Sequence, residues 1–598
     1  MDLATLKALK PTEYSEAADG YRSTSDMASA VKDRIENQIA AAMRNHLKGK
    51  ASTAAGKQLA SLGQNFHYIQ TQCGLISTAL EAFSYEMEAA KRKLDTALEN
   101  ARAANLTVNT DGSVTYPPGG EKSKDGKTPG GGTVSGLTDG TASAVGRQAA
   151  NLDPNPHHRL AQDCADLIAT ALKEATEADE KWAPKLRALK ADDDLSVSDA
   201  DWADTSSDTK GVTDAGGQYL NSLPQPPKDG SPKENAQWWK GLSAEEQAAW
   251  AAMRPGTVGA LDGLPSTVRD EANRILFDTT RGSMQMELNS IPAPPANEWT
   301  WITVGGYPSK VHTDEWMQWH NKYSDRYDQL NRSLKGMQAI QNRFDSTGRN
   351  GLPEAYLLGF DAEKDGRAIV ANGNPDTADH TAVYVPGTES DLEGIKGNIN
   401  RMANVWRKAN DEADGESVST ITWLGYDAPD GVVKDAPFEH YAYDGAPAFR
   451  NFMDGLDASR SGDSPGHTTV IAHSYGTTLV GAAAQTGHLN ADEVILAGSP
   501  GVKVSDAEEL DVPKGHVWNA EADGDVVPDI GRWGHGGDGF VIPSDPSFGA
   551  NQMTTDTEGH SAYWEETTQS LANQALVVVG RGDEVSLKAP PDPWAHVK

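Results

Sequence analysis

The segment 468–484, TTVIAHSYGTTLVGAAA, places a serine where it could act as a nucleophile. Thr468-Thr469-Val470-Ile471 is an apolar, β-branched run that predicts a buried parallel strand. The small residues of 477–484 predict a helix packed tightly on a sheet. Between them, Ala472-His473-Ser474-Tyr475-Gly476 fits the G-x-S-x-G nucleophile elbow, with Ala in place of the first glycine. Such a turn strains the serine backbone and needs tiny residues two before and two after it. A hydroxyl held there does acyl chemistry only with three helpers: a base, an acid that orients the base, and N–H donors for the developing oxyanion. Without them the pentapeptide is an ordinary strand-to-helix turn that contains a serine.

The surrounding elements must supply those helpers. From Pro353 onward the sequence alternates short apolar runs with helical patterns. Strands are predicted at 355–358, 368–371, 381–385, 419–423, 468–471, 493–497, 516–519 and 540–542. Helices are predicted at about 392–410, 447–459, 477–485 and 506–510. This order predicts an α/β domain with a mostly parallel sheet of about eight strands and helices on both faces. A serine after the fifth strand matches the α/β-hydrolase layout, in which the chain order is Ser, acid, His.

That order leaves His488, His516, His535, His560 and His596 as base candidates. His488 closes the nucleophile helix, His516 begins a strand and His596 lies in a Pro-rich tail. His560 follows the predicted last strand, where this fold places its base; His535, in Gly534-His535-Gly536-Gly537, is the runner-up. Asp523-Gly524-Asp525 follows the seventh strand and offers two acids. Their simpler role is to build a turn. The Tyr475 amide is the expected first oxyanion donor. The second is expected from Val385-Pro386-Gly387-Thr388, where Gly387 lets the backbone approach a substrate and Thr388 donates. His473, Tyr426 and Asp427 are further pocket candidates, the last two on the long aromatic segment after the fourth strand.

Several motifs resemble known families. Asp525-Val526-Val527-Pro528 is similar to the D-x-V-P around the acid of many α/β lipases, a resemblance that favours Asp525 over Asp523, and Pro386-Gly387-Thr388 resembles their R-G-[ST] oxyanion loop. His560-Ser561-Ala562-Tyr563, with the block Trp239-Lys240-Gly241-Leu242-Ser243, then 255–265 (PGTVGALDGLP) and Arg269-Asp270-Glu271-Ala272-Asn273-Arg274, resembles an actinobacterial family of α/β-hydrolases (DUF1023). The resemblance covers about 235–598 and implies the fold and the Ser-Asp-His triad. It assigns no chemistry to the 238–274 block, whose expected role is a structural platform or lid.

Upstream, six regions are expected. Residues 1–105 form a helical hairpin, 106–142 a Gly/Pro-rich linker, 143–191 a helical segment, 192–234 an acidic linker, 235–349 a helical platform, and 350–598 the catalytic domain. In the hairpin's second arm Leu59, Leu62, Phe66, Ile69, Cys73, Ile76, Leu80, Phe83 and Met87 alternate three- and four-residue steps, a heptad seam. The first arm carries Met27, Val31, Ile35, Ile39 and Met43. The seam is expected to be core, or to bind a partner helix or a second copy. The hairpin resembles the WXG100 proteins of type VII secretion, with Leu47-Lys48-Gly49 where they have Trp-x-Gly. Their Tyr-x-x-x-Asp/Glu export signal would start at Tyr85, but Ala89 replaces the acid, so export lacks a complete signal.

Composition excludes other classes. Asp and Glu number 86 against 53 Lys and Arg, a net −33 that repels nucleic acid and anionic membrane surfaces. Two cysteines, Cys73 and Cys164, build neither a disulfide framework nor a metal site, and the histidines lack ligand spacing. No phosphate-binding glycine motif occurs and no cofactor is implied. No apolar run approaches the ~20 residues of a membrane span and the start lacks a secretory signal, so the expected compartment is the cytoplasm. The expected activity is hydrolysis of an acyl ester, small or lipid-like. An acyltransferase would use the same residues. A reading from another class is a helical, secretion-associated interaction protein whose hydrolase domain is secondary or inactive.

Overall fold

The computed structural model describes residues 1–189, 196–461 and 466–589. Its first half is helical. Helix α1 (Thr12–Asp33) continues through a π-helical stretch (Arg34–Ala40) and a short helix (Ala41–His46) to the turn at Leu47-Lys48-Gly49, where Gly49 takes φ 106°. Helix α2 (Lys50–Ala103) then runs back along α1 and against α3 (Pro156–Ala188).

The buried line of α2 departs from the predicted seam. Phe83 and Met87 are buried as expected, together with Leu75, Ala79, Ala90, Leu94 and Ala97. Farther up, Leu62 and Ile69 are exposed while His67, Gln70 and Thr71 are buried. The reason lies in what covers that face. Helix α4 (Ser266–Ser290) presents carboxylates: Asp278 pairs with His67 at 3.0 Å and Glu271 accepts from Gln70. A polar neighbour selects polar residues, and the heptad stripe is left facing outward.

The described part of the second predicted linker is largely helical, and the first carries a small sheet. In 106–142 three short strands, Thr107–Val108, Val114–Tyr116 and Gly132–Val134, form an antiparallel sheet. Tyr116 stacks on His158 at 5.0 Å, and the buried Asn155 amide donates to the Pro117 and Gly130 carbonyls. In 192–234, whose first four residues lie outside the described ones, a Ser198/Asp201 capping box opens the helix Asp199–Ala215. Trp202 and Val212 bury one face of that helix, an apolar stripe that the acidic composition masks. Pro184 neither ends nor interrupts α3, which continues to Ala188.

The platform follows. Capping boxes Ser231/Glu234 and Ser243/Glu246 open two short helices, and α4 leads to an exposed hairpin, Trp299–Val304 with Tyr307–His312. Thr313 caps α5 (Asp314–Phe344), which returns the chain toward the sheet. Along α4, Asp270 accepts from the Leu357 amide at 2.6 Å; Asn273 and Arg274 donate to the Leu357 and Ala355 carbonyls at 3.0 and 2.8 Å.

The sheet has eight strands: β1 (Ala355–Asp361), β2 (Arg367–Asn372), β3 (His380–Val385), β4 (Val418–Leu424), β5 (His467–His473), β6 (Glu493–Ala497), β7 (Val517–Ala520) and β8 (Asn551–Gln552). Their spatial order is 8-7-6-5-3-4-2-1, with β2 antiparallel to both neighbours and every other pair parallel. Helices α6 (Ile395–Glu412), α7 (His440–Ser459) and α8 (Tyr475–Thr486) cover it, with α9 (Val527–His535) and α10 (Gln569–Val578) after them. Seven strands lie where the sequence puts them. The eighth does not: 540–542 is no strand, because Phe540 takes φ 63° and closes a 3-10 turn, while Ile542 is buried as loop core. Pairing with β7 falls instead to Asn551 and Gln552.

Candidate active site

Ser474 stands where β5 turns into α8. Its φ of 54° and ψ of −128° lie outside the regions an L-residue prefers, the strain expected of an elbow. From Thr469 to Ala483 every residue is buried except Ser474. The small neighbours are needed. A Cβ on Gly476 would fall 2.4 Å from the Val385 carbonyl oxygen, and one on Gly387 would fall 2.6 Å from the Ser474 Cβ. The loop after β3 therefore lies directly against the serine, and the Ser474 amide is tied to the Ala497 carbonyl at 3.0 Å.

His560 reaches the same place from the loop after β8. Its Nδ1 lies 2.9 Å from both carboxylate oxygens of Asp525, which is buried after β7. Asp525 has two further donors, the Val527 amide at 3.0 Å and the Tyr563 hydroxyl at 2.5 Å. Burial alone would raise this carboxyl, but the donors and the adjacent imidazole hold it below the usual carboxylate range. Asp523 contributes its backbone, accepting from the Gly559 amide at 2.8 Å and so fixing the histidine loop.

His473 backs the base. Burial first, then the charges of Arg401 and His560, pull its imidazole down to about 3. It is therefore neutral, and its Nε2–H donates to the His560 carbonyl at 2.7 Å. The runner-up base, His535, is used otherwise. Burial lowers it as well, its Nε2 donates to the Ala436 carbonyl at 2.7 Å, and its ring meets the Tyr475 ring edge-on at 5.2 Å. His488 pairs with Asp511 and His516 with Glu493, both away from Ser474. His596 lies outside the described residues.

Ser474 and His560 open on one cavity of about 880 Å3, shared with Gly387, Thr388, His473 and Tyr475. Tyr475 heads α8, where first-turn amides have no partner within the helix, and Thr388 follows the close-approach glycine. Apolar side chains from two elements, Val432 and Pro437 on one side and Val527, Ile530 and Trp533 on the other, form the walls. Arg401 also reaches the cavity; it donates to the Tyr384 hydroxyl and Asn398 and lies over Trp564.

Two expected pocket residues belong elsewhere. Tyr426 and Asp427 line a separate cavity of about 170 Å3 with Asp361, Lys364 and Arg367. Tyr426 is buried and its hydroxyl donates to the Pro386 carbonyl at 2.8 Å, so it supports the 386–388 loop from beneath. The sequence reading did not find Tyr563 as a partner of Asp525. The only signal was its place three residues after His560.

The segment 361–534 matches the alpha/beta hydrolase family model, and the chain belongs to that family. His560 lies beyond the matched segment, so its place in the site rests on the geometry above. Over 394 residues the chain is 27% identical to the uncharacterized protein Rv2079 of Mycobacterium tuberculosis (strain ATCC 25618 / H37Rv), covering 60% of this chain and 57% of that one. It is 31% identical over 196 residues to the uncharacterized protein Mb0988c of Mycobacterium bovis, covering 30% of this chain and 73% of the relative. The chain thus spans little more than half the length of its larger mycobacterial relatives. No helix among the described residues is long and apolar enough to cross a membrane.

Proposed function

We propose that the protein is a serine hydrolase that cleaves acyl esters. The observation that carries this reading is the approach of His560 Nδ1 to both oxygens of the buried Asp525, on the cavity that also exposes the strained Ser474. Asp525 fixes the tautomer: Nδ1 holds its proton toward the carboxylate, and Nε2 is left as the acceptor. In the first step Ser474 Oγ attacks the ester carbonyl and its proton passes to His560 Nε2. The Tyr475 and Thr388 amides meet the oxyanion. Collapse expels the alcohol, which takes the proton from His560, and leaves an acyl-serine. Water then attacks the acyl carbon, gives a proton to His560, and the carboxylic acid leaves as Ser474 regains its hydrogen. The apolar walls suit an acyl chain better than a sugar or peptide.

A fluorophosphonate probe tests the nucleophile. The full chain should label and Ser474→Ala should not, with ester turnover falling by roughly 10⁴-fold or more. Equal labelling of the two proteins overturns the reading. A series of p-nitrophenyl esters of increasing chain length then reports how much chain the cavity accepts.

A further inference from the structure

Among the described residues two apolar surfaces are exposed, and both lie at the same end of the sheet. The first is the rim of the active-site cavity. Val433 is 86% exposed, Trp533 70% and Ile530 69%, with Phe438 and Val526 also exposed beside them. They come from the segment 432–438 and from α9, which meet through the His535–Ala436 hydrogen bond. The second is the hairpin Trp299–Val304/Tyr307–His312, exposed along nearly its whole length, where Tyr307 is 77% and Trp301 68% exposed. At its base Trp299, His312, Trp316 and His320 stack successively at 3.7, 3.9 and 4.4 Å, which stiffens it.

Topology gives their common side. Strand β1 is parallel to β4, since both are antiparallel to β2, and β4 is parallel to β3, which is parallel to β5. The exit of β1 is therefore at the same end as Ser474. Helix α4 follows β1 in its direction: Asn273 and Arg274 bond Leu357 and Ala355, whereas Leu276, Thr280 and Met284 lie beside Phe360 and Lys364 at the exit. Helix α5 comes back from beyond it, with Arg326 on Glu287, then Ser333 near Ala362 and Lys335 on Glu393. The hairpin between α4 and α5 therefore projects past the carboxyl end of the sheet, where the cavity opens.

We propose that this end docks on the surface of an uncharged or zwitterionic lipid aggregate and that the ester substrate is drawn from it. The inference rests on the esterase reading for the substrate, and on the two surfaces alone for the docking. Two observations select this occupant. The apolar rim is continuous with the apolar cavity, so one acyl chain passes from the aggregate to Ser474 without crossing water. These surfaces also carry little net charge, in a chain whose net charge is −33. Between Trp299 and His312 the hairpin carries Lys310 alone, the segment 432–438 carries Lys434 and Asp435, and α9 carries Asp529 and Arg532. Trp and Tyr at an exposed tip suit a boundary that is apolar beneath and wet above. An anionic surface would instead be repelled.

Co-sedimentation of the full-length Ser474→Ala protein with phosphatidylcholine vesicles and with phosphatidylglycerol vesicles tests the docking without turnover. Binding to phosphatidylcholine, weaker binding to phosphatidylglycerol, and a loss of at least about tenfold in both Trp301→Ser/Tyr307→Ser and Val433→Ser/Phe438→Ser support the proposal. In the active protein Trp301→Ser/Tyr307→Ser, on the hairpin and away from the cavity, should leave hydrolysis of a dissolved short ester unchanged while lowering it on emulsified long-chain ester. Absence of vesicle binding overturns the proposal, as does binding that both pairs retain or that favours phosphatidylglycerol. A dimer in light scattering that the Val433/Phe438 pair dissociates, without vesicle binding, also overturns it and makes a second copy the cover. Vesicle binding by a protein that turns over no ester supports the docking and defeats the esterase reading alone.

Discussion

Two histidine–aspartate pairs of nearly the same length, each with a buried carboxylate, do different work in this molecule. His67 and Asp278 meet at 3.0 Å where the helical half packs on the platform, with both side chains almost fully buried. His560 and Asp525 meet at 2.9 Å at the end of the sheet, where the aspartate is covered but the imidazole opens on a cavity beside a serine. The pair itself is therefore not the signature of a site. What distinguishes the second is that its imidazole opens on a cavity also lined by the strained Ser474. In the first, burial pushes the His67 imidazole down, so it sits neutral as a bolt between layers.

The sharpest test of that contrast is to remove each histidine. His560→Ala should lower kcat for ester hydrolysis by roughly 10⁴-fold or more with an unchanged melting temperature. His67→Ala should do the reverse. It leaves Asp278 buried with only the longer contact to Arg281 at 3.4 Å, and urea titration should show a loss of about 3 kcal/mol with activity retained below the transition. If His67→Ala abolishes turnover in a folded protein, the two pairs are not separate in role.

A smaller effect probes what supports the Asp525 carboxylate. Tyr563→Phe removes one donor from Asp525 and leaves His560 and the Val527 amide, so kcat should fall about tenfold. The smallest effect concerns pH. His67 is neutral in the folded state, whereas the unfolded imidazole takes a proton below about pH 6.5. The unfolded state then binds more protons, so stability should fall as the medium is acidified through that range, by at most about 1.4 kcal/mol per unit. His67→Gln should flatten this slope. The Asp278 carboxylate, held below its usual range by His67 and Arg281 despite burial, would weaken the fold only at still lower pH.

These contrasts also show what the sequence could and could not disclose. The elbow was legible because its demands are local and steric: Ala472, Ser474 and Gly476 stand at fixed spacing between a β-branched run and a small-residue helix. That Asp525 and His560 would meet was legible from two signals, chain order for the histidine and the D-x-V-P resemblance for the aspartate. Burial in the long helix α2 was not legible, because the polar face of α4, distant in sequence, decides which side of α2 turns inward. The last strand was missed for the opposite reason: Phe540 to Ile542 are apolar enough, yet two polar residues, Asn551 and Gln552, make the pairing. Tyr426 looked like a pocket residue by its neighbours in sequence, and only the fold shows it beneath the loop that it steadies.

One consequence follows from the contacts of Asp270, Asn273 and Arg274. The strand they bond, β1, is the outermost of the sheet, and its outward Ala355 and Leu357 groups would otherwise be open to another chain. Helix α4 occupies those groups with side chains. A fragment cut at residue 350 would keep the serine, the acid and the base, yet expose an unprotected apolar border fit to pair with its own copies. It should aggregate more readily than the whole chain, because the helical half is what seals this border of the sheet.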